Sequence, residues 1–465
     1  MQNRFDVIIV GARCAGAPLA TLLARQGVRV AVVEQATFPR ETLSSHIFEA
    51  DALAFLDRLG VTERLRATGA PFVDRTDIRI EDFEIAMPWP RAPGDTGGMM
   101  SVRRHVLDPI LADAAVDAGA EVRMASTVVG LSEEHGRVSG VRVSCANGEC
   151  ELRARLVVGA DGRRSTVAAL NRARKYNVVA NQRALYWGYF EGADPGEQPS
   201  FLSHRWADRF VLAIPTDAGL YQALVWPEMS ELARFDRDHE AVFADQIQSC
   251  EPLARAIAGA RRVGKLYGAV RWSGYFREAS GPGWVLAGDA GHFKDPAPGR
   301  GIGDAFRQVD ALAPAIVAGL GGSDANLDEA LVRWGHWRDR DFAEHYWLAN
   351  DLGQSGTVPA VLSEIVRRLN EQGKAGSFLD LLNHRVKPSR LLTPARLLGA
   401  TARLVARERG QRRAILGEVA ALASQDARRR WLNRRPAYAA AELSPANGEP
   451  TETHVAVAPE RAHQR

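Results

Sequence analysis

Two apolar runs at the start of the chain, and the turn between them, limit its fold more than any other feature. Residues 5–10, FDVIIV, form a short apolar run of the kind given by a strand buried on both faces. A turn containing Gly11 follows, then a helix-like stretch, APLATLLARQ, that stops at Gly27, a residue suited to a helix end. A second buried run, VRVAVVE, occupies residues 28–34. Strand, tight turn, helix and strand within about thirty residues make a βαβ unit.

The turn of that unit carries chemistry. Gly11-Ala12-Arg13-Cys14-Ala15-Gly16 sits where a dinucleotide fingerprint belongs. Gly11 allows the tight turn, and Gly16 lets the helix pack closely on the strands. The N–H groups of the first helical turn are then free to receive a pyrophosphate, aided by the helix dipole. Arg13 departs from the pattern, standing where the middle glycine would let the backbone approach the phosphates; its guanidinium either supplies a counter-charge or points to solvent. Glu34 ends the second strand, 23 residues after Gly11. A carboxylate there accepts hydrogen bonds from both ribose hydroxyls of an adenosine and repels a 2′-phosphate, so the unit suits FAD or NAD rather than NADP. Elsewhere in a chain such an acid would be read as a solvated strand end.

The remaining patterns give an organisation. Residues 49–69 read as a helix with Leu53, Leu56, Leu59 and Leu65 on one face, and 104–119 as a second amphipathic helix. A β-meander follows, with turns at Glu134–Gly136 and near Asn147–Gly148, and then a third buried strand, RLVVGA, at 155–160. Between 175 and 280 aromatic and polar residues alternate, as in an antiparallel sheet covered on one face. WVLAGDAG at 284–291 returns to the buried-strand pattern, 301–320 reads as a helix, and 326–435 is helical throughout. The expected class is α/β: a Rossmann-type domain from 1–174 and 281–325, an inserted antiparallel-sheet substrate domain at 175–280, a helical region at 326–440, and a disordered tail at 441–465.

Bulk composition narrows the function classes. A net charge of +3 over 465 residues gives no general attraction to nucleic acid. The four cysteines form no CxxC pair and have no histidine cluster at zinc-like spacing, so neither a metal nor a disulfide framework is expected. No signal-like segment opens the chain and no apolar run reaches membrane-spanning length, so a cytoplasmic protein is expected. Residues 385–435 hold 14 Lys/Arg against 3 Asp/Glu. A solvated helix face is the plain reading of that excess, and contact with a membrane or an acidic partner the other.

Two later segments raise the specificity. Gly159-Ala160-Asp161-Gly162-Arg163-Arg164-Ser165-Thr166-Val167 follows the third buried strand. Gly288-Asp289-Ala290-Gly291-His292-Phe293-Lys294-Asp295-Pro296-Ala297-Pro298-Gly299-Arg300-Gly301-Ile302 follows the fourth. With these three motifs in order, residues 5–320 resemble the para-hydroxybenzoate hydroxylase-like, or group A, FAD-dependent monooxygenases. That superfamily shares its fold with geranylgeranyl reductases and flavin-dependent halogenases. The resemblance implies that Glu34 holds the adenosine ribose, that Arg104 reaches the phosphate and ribityl region, and that Asp161 and Gly162 serve FAD and a transient NAD(P)H. It implies equally that Asp289 accepts from the ribityl chain. Pro296, Pro298, Gly299 and Gly301 would form a side-chain-poor loop for the isoalloxazine. Ile302 opens a helix whose positive end stabilises anionic reduced flavin.

The activity implied is NAD(P)H- and oxygen-dependent hydroxylation of an aromatic or apolar small molecule through a flavin C4a-hydroperoxide. Saturation of a carbon–carbon double bond, as in the geranylgeranyl reductase branch, is the alternative, favoured by Leu43-Ser44-Ser45-His46 and Lys294-Asp295-Pro296. A halogenase is disfavoured because Trp187-Gly188-Tyr189-Phe190 and Ala213-Ile214-Pro215 are separate strands; a non-catalytic flavin carrier is the remaining alternative. The leading candidate acid–base groups are His46 and Asp295, with His292 a further imidazole candidate. His292 suits packing or cofactor contact. His204 and the aromatics Tyr186, Trp187, Tyr189, Trp226 and Trp272 belong to the sheet expected to face substrate, with alternate positions pointing opposite ways.

Overall fold

In the computed structural model the described residues are 3–42, 44–146 and 148–439. The βαβ unit is present as strand Val7–Val10, helix Gly16–Ala24 and strand Val30–Val33. These strands sit at the centre of a six-stranded sheet, flanked by Leu156–Gly159 and Trp284–Leu286 on one side and Glu121–Arg123 on the other. All these neighbours pair in parallel. Parallel strands need crossover connections, which bury both faces and explain the unbroken apolar runs. Val7, Ile9, Val30 and Val32 face the helices Gly16–Ala24, Ala50–Arg58, Arg104–Asp117 and Gly301–Leu320. Ile8, Val10, Ala31 and Val33 face the meander of Thr127–Glu134, Arg137–Cys145 and Gly148–Arg153. Ile8 and Ile9 are wholly buried, and each stabilises the sheet by about 1.5–3 kcal/mol.

A second sheet has seven strands, ordered Arg261–Ala269, Leu185–Glu191, Leu220–Val225, Arg209–Pro215, Phe201–Trp206, Arg75–Ile80 and Phe83–Pro88. Three expectations are corrected here. The last two strands come from before residue 175, so this sheet is not confined to 175–280, and its junction between Phe201–Trp206 and Arg75–Ile80 is parallel. Both its faces are covered, not one: Tyr186 and Phe190 pack with Phe235, Phe243 and Leu253 from short helices, while Trp187 and Tyr189 pack with Val361, Phe378 and Leu379 from the C-terminal helices. Gly60, at φ +73, breaks the expected helix of 49–69 into Ala50–Arg58 and Thr62–Arg66.

Asp324–Leu352 packs along Gly301–Leu320, contributing Leu327, Leu331 and Trp334 to the first core. Ala360–Glu371, Gly376–Leu382, Pro394–Arg407 and Arg412–Arg434 complete the helical region. The tail expected at 441–465, and Asn147 of the expected meander turn, lie outside the described residues. No described helix is long and apolar enough to cross a membrane. Among the described residues no group of His, Cys, Asp and Glu is placed to hold a metal ion.

Candidate active site

The turn after the first strand is built as its spacing requires. Gly11 has φ +98, and a Cβ on it would lie 2.5 Å from the carbonyl oxygen of Ala160. A Cβ on Gly16 would lie 1.7 Å from the Gly11 carbonyl oxygen. Both positions therefore exclude any side chain. Glu34 is buried, and its carboxylate accepts from the N–H of Ala12 at 2.9 Å and of Ala36 at 3.0 Å. These two bonds lock the carboxylate at the mouth of the turn, and each oxygen keeps a lone pair for a further donor.

The other expected cofactor residues converge on this turn. Arg104 is buried and makes a two-pronged ion pair with Asp108, at 2.7 and 3.1 Å. Arg13 does not point away into solvent: it hydrogen-bonds Thr42, reaches to 3.8 Å from Asp108 and lies over the ring of Phe38. Cys14 is buried beside them, and burial pushes its thiol up to about 12. Asp289 is half-buried, and its charge acts on both Cys14 and Arg104. Asp161 spends one oxygen on the N–H groups of Thr166 and Val167, while its Oδ1 is buried without a partner; burial raises its carboxyl above the usual range. Gly162 follows at φ +76.

The proline-glycine loop leaves room. A Cβ on Gly299 or Gly301 would meet no protein atom within 4 Å. No side chain caps the helix beginning at Gly301, so its first N–H groups, including that of Ile302, are left for an acceptor outside the helix. An open recess against Gly299 and Gly301, a side-chain-free turn at Gly11, and the orphaned Asp161 oxygen fit a dinucleotide whose flat ring rests on the loop. The loop itself is clasped from behind. Arg300, 1% exposed, bonds Glu49 at 2.9 Å and Asp51 at 2.8 and 2.7 Å. Burial pushes the Glu49 carboxyl up to about 8 in spite of Arg300. Beyond it Lys294 pairs with Asp304 at 2.6 Å.

The two acid–base candidates fall in different surroundings. His46, in a left-handed conformation at φ +61, is buried between the cofactor turn and the second sheet. Its Nε2 lies 2.5 Å from the Tyr189 hydroxyl, and its Nδ1 is buried without a partner. Burial, with the charge of Arg104, depresses its pKa to about 3, so the ring is neutral. Trp187 donates to the same hydroxyl at 3.3 Å, and Tyr267 stacks on Trp187. Arg103 lies over the Tyr189 ring and bonds Asp217 at 2.7 and 2.9 Å. Burial works against the Asp217 charge, but these bonds hold its carboxyl below the usual range. Asp295 instead accepts from Trp272 Nε1 at 3.2 Å and from the Ala297 N–H at 2.9 Å, against Gly353. Burial raises it to about 6.

His292 is a packing residue, set among Phe276, Phe342 and Tyr346. His204 is held by Asp77 and Cys250 on the far side of the second sheet, and Tyr186 stacks on Phe235 on that side too. Sequence reasoning placed Tyr189 among the sheet aromatics without its partner, and it missed the Arg103–Asp217 and Arg300–Glu49 pairs. The only available signal for the first of these was a second arginine beside Arg104.

A parallel-sheet nucleotide cradle joined to an aromatic-walled second sheet defines a Rossmann-type flavoprotein. Residues 4–330 match the family described as FAD binding domain. The chain belongs to that family, and with it to the para-hydroxybenzoate hydroxylase-like superfamily; it is an FAD-dependent oxidoreductase. It is 28% identical to the rifampicin monooxygenase of Streptomyces venezuelae, over 67% of this chain and 66% of that protein. It is 27% identical to the digeranylgeranylglycerophospholipid reductase of Methanosarcina mazei, over 73% of this chain and 82% of that one. Identity to the menaquinone reductase of Mycolicibacterium smegmatis is 28%, over 78% of this chain and 87% of that one. In fold it is similar to a flavin-dependent brominase, at TM-score 0.69, 18% identity and coverage of 88% of this chain and 100% of the other. The myxobacterial chondrochloren halogenase gives 0.67 at 22% identity, covering 86% and 97%.

Proposed function

We propose that the protein is an NAD(P)H- and oxygen-dependent monooxygenase that hydroxylates an aromatic or apolar small molecule. The balance is substrate-H, O2, NAD(P)H and a proton giving substrate-OH, water and NAD(P)+. Bound FAD supplies the redox chemistry, and the chain supplies the rest. Gly11, Arg13 and Gly16 receive the pyrophosphate, and Glu34 receives the adenosine ribose. Arg104 and Asp289 hold the ribityl region, Asp161 and Gly162 close the cradle, and Pro296, Gly299, Gly301 and Ile302 support the ring.

One observation carries the reading: the neutral His46–Tyr189 couple bridges the cofactor cradle and an aromatic wall of Trp187 and Tyr267. Its setting is dry, and burial keeps both the His46 ring and the Tyr189 hydroxyl in their neutral forms, so the couple is a fixed hydrogen-bonding pair. That suits a substrate bearing a hydroxyl or similar group, positioned by a hydrogen bond to Tyr189. Asp295, raised to about 6, is the proton-exchanging group, acting on the Trp272 side of the wall. Rifampicin monooxygenase, an oxygenase by name, is among the relatives.

A second reading, reduction of a carbon–carbon double bond, is favoured by relatives named as reductases that match 73% and 78% of this chain. The test is oxygen uptake with NADH or NADPH across a set of phenols, polyketides and quinones. Uptake coupled to product carrying labelled oxygen supports the hydroxylase. Turnover that proceeds anaerobically and inserts no oxygen overturns it in favour of the reductase.

A further inference from the structure

The helical region ends in a hairpin, Pro394–Arg407 and Arg412–Arg434, whose two sides differ sharply. Its inner side is pinned. Ala400, Leu404 and Ile415 enter the core beneath the second sheet. Glu418 accepts from the N–H groups of Ala360 and Val361 at 3.0 and 2.8 Å, Arg429 bonds Asp351 at 2.7 Å, and Asn433 accepts from Trp347 at 3.0 Å. The outer side has no such partner among the described residues. On the second helix, Arg413, Leu416, Ala420, Ala427, Trp431 and Arg434 recur at helical spacing and are all exposed. Leu416 is 55% and Trp431 54% exposed, and on the first helix Leu398 is 70% exposed beside exposed Ala395, Ala402 and Ala406.

The charge on this side is almost entirely positive. Residues 394–435 hold eleven arginines and three acids. The acids are committed: Glu408 to Arg407, Glu418 to the backbone of the neighbouring helix, and Asp426 to Arg430. Arg409, Arg413, Arg428, Arg434 and Arg435 have no acidic partner among the described residues. A groove between this hairpin and Ala360–Glu371 borders this region; of its arginines, Arg368 pairs with Glu371 and Arg403 with Glu364, while among the described residues Arg396 bonds only backbone carbonyls.

We propose that this hairpin docks the protein on an anionic phospholipid bilayer, with Leu398, Leu416 and Trp431 entering the headgroup layer and the surrounding arginines meeting phosphates. Exposed leucine and tryptophan set among arginines on a rigid scaffold match the interfacial pattern in which apolar insertion and electrostatic attraction add. An acidic protein would satisfy the arginines but leaves Trp431 and Leu398 without a role. The proposal is independent of which reaction the flavin site carries out.

The test is co-sedimentation of the full-length, FAD-loaded protein with vesicles of phosphatidylcholine and phosphatidylglycerol in equal parts, and with vesicles of phosphatidylcholine alone. Binding is expected only to the anionic vesicles, weakening as salt is raised. The triple variant Arg413→Gln, Arg428→Gln, Arg434→Gln is expected to lose about 100-fold in partition, at roughly fivefold per basic residue near the surface. Trp431→Ser should weaken binding severalfold and leave its salt dependence unchanged. Retained flavin absorbance in each variant shows an intact fold. Equal binding to neutral vesicles, no binding at all, or variants that sediment like the parent would each overturn the proposal. So would displacement by soluble polyglutamate with Trp431→Ser without effect, which assigns the surface to an acidic protein.

Discussion

Replacing Arg300 by methionine probes the clasp behind the flavin loop. Arg300 is 1% exposed and forms three hydrogen bonds to Glu49 and Asp51, joining the segment after His46 to the segment before Ile302. Methionine fills much of the volume, so the loss is chiefly electrostatic: the buried Glu49, once ionised, and the part-exposed Asp51 are left without their counter-charge. Breaking one side of a buried pair costs about 3–5 kcal/mol. The cost depends on pH in a defined direction. Burial already holds Glu49 near 8, well above the 4.5 of an exposed glutamate, so the folded state binds more protons than the unfolded state between those values. Stability tied to Glu49 is therefore present below about 4.5 and lost as pH rises through 8. Without Arg300 the Glu49 carboxyl rises further, so the variant should be hit hardest near pH 8 and less at pH 6. Urea unfolding of parent and variant at both pH values, followed by circular dichroism, measures this. Adding Glu49→Gln should restore much of the loss at pH 8. A loss below about 1 kcal/mol, or one equal at both pH values, would refute the reasoning.

Further outcomes follow from the site. Glu34→Ala and Asp289→Ala should each lower FAD affinity several-fold, read by titrating apoprotein with FAD and following flavin fluorescence; colourless protein that takes up no FAD even before mutation would remove the basis for both. Tyr189→Phe should leave His46 Nε2 buried without a partner, costing about 1–3 kcal/mol, and should lower kcat more than it raises KM. Because His46 titrates near 3 rather than 6.5, it binds a proton more readily when unfolded, so the stability tied to it is complete above 6.5 and lost as pH falls towards 3. His46→Gln should flatten that acid limb of the unfolding curve, and an unchanged curve would show that His46 is not held neutral.

What the chain determined by itself was local. The apolar runs at 5–10 and 28–34, the glycines at 11 and 16 and the acid at 34 lie close together in sequence, and steric rules acting over a few residues are enough to specify their turn. The DG and GD segments were legible for the same reason, because each is a strand end followed at once by small residues. Helix lengths were less so: the leucine spacing of 49–69 ran on across Gly60, where backbone conformation broke the helix. The tertiary structure decided which distant groups meet. His46 and Tyr189, 143 residues apart, meet where the second sheet packs on the cofactor turn, and Arg300 and Glu49, 251 apart, meet where the helices Ala50–Arg58 and Gly301–Leu320 pack together. The same holds for Arg75–Ile80 crossing into the second sheet and for the C-terminal helices covering its inner face. Patterning tells which side of an element is apolar. It does not name the partner that buries it, because many apolar surfaces are compatible with any one face and only the global packing selects among them.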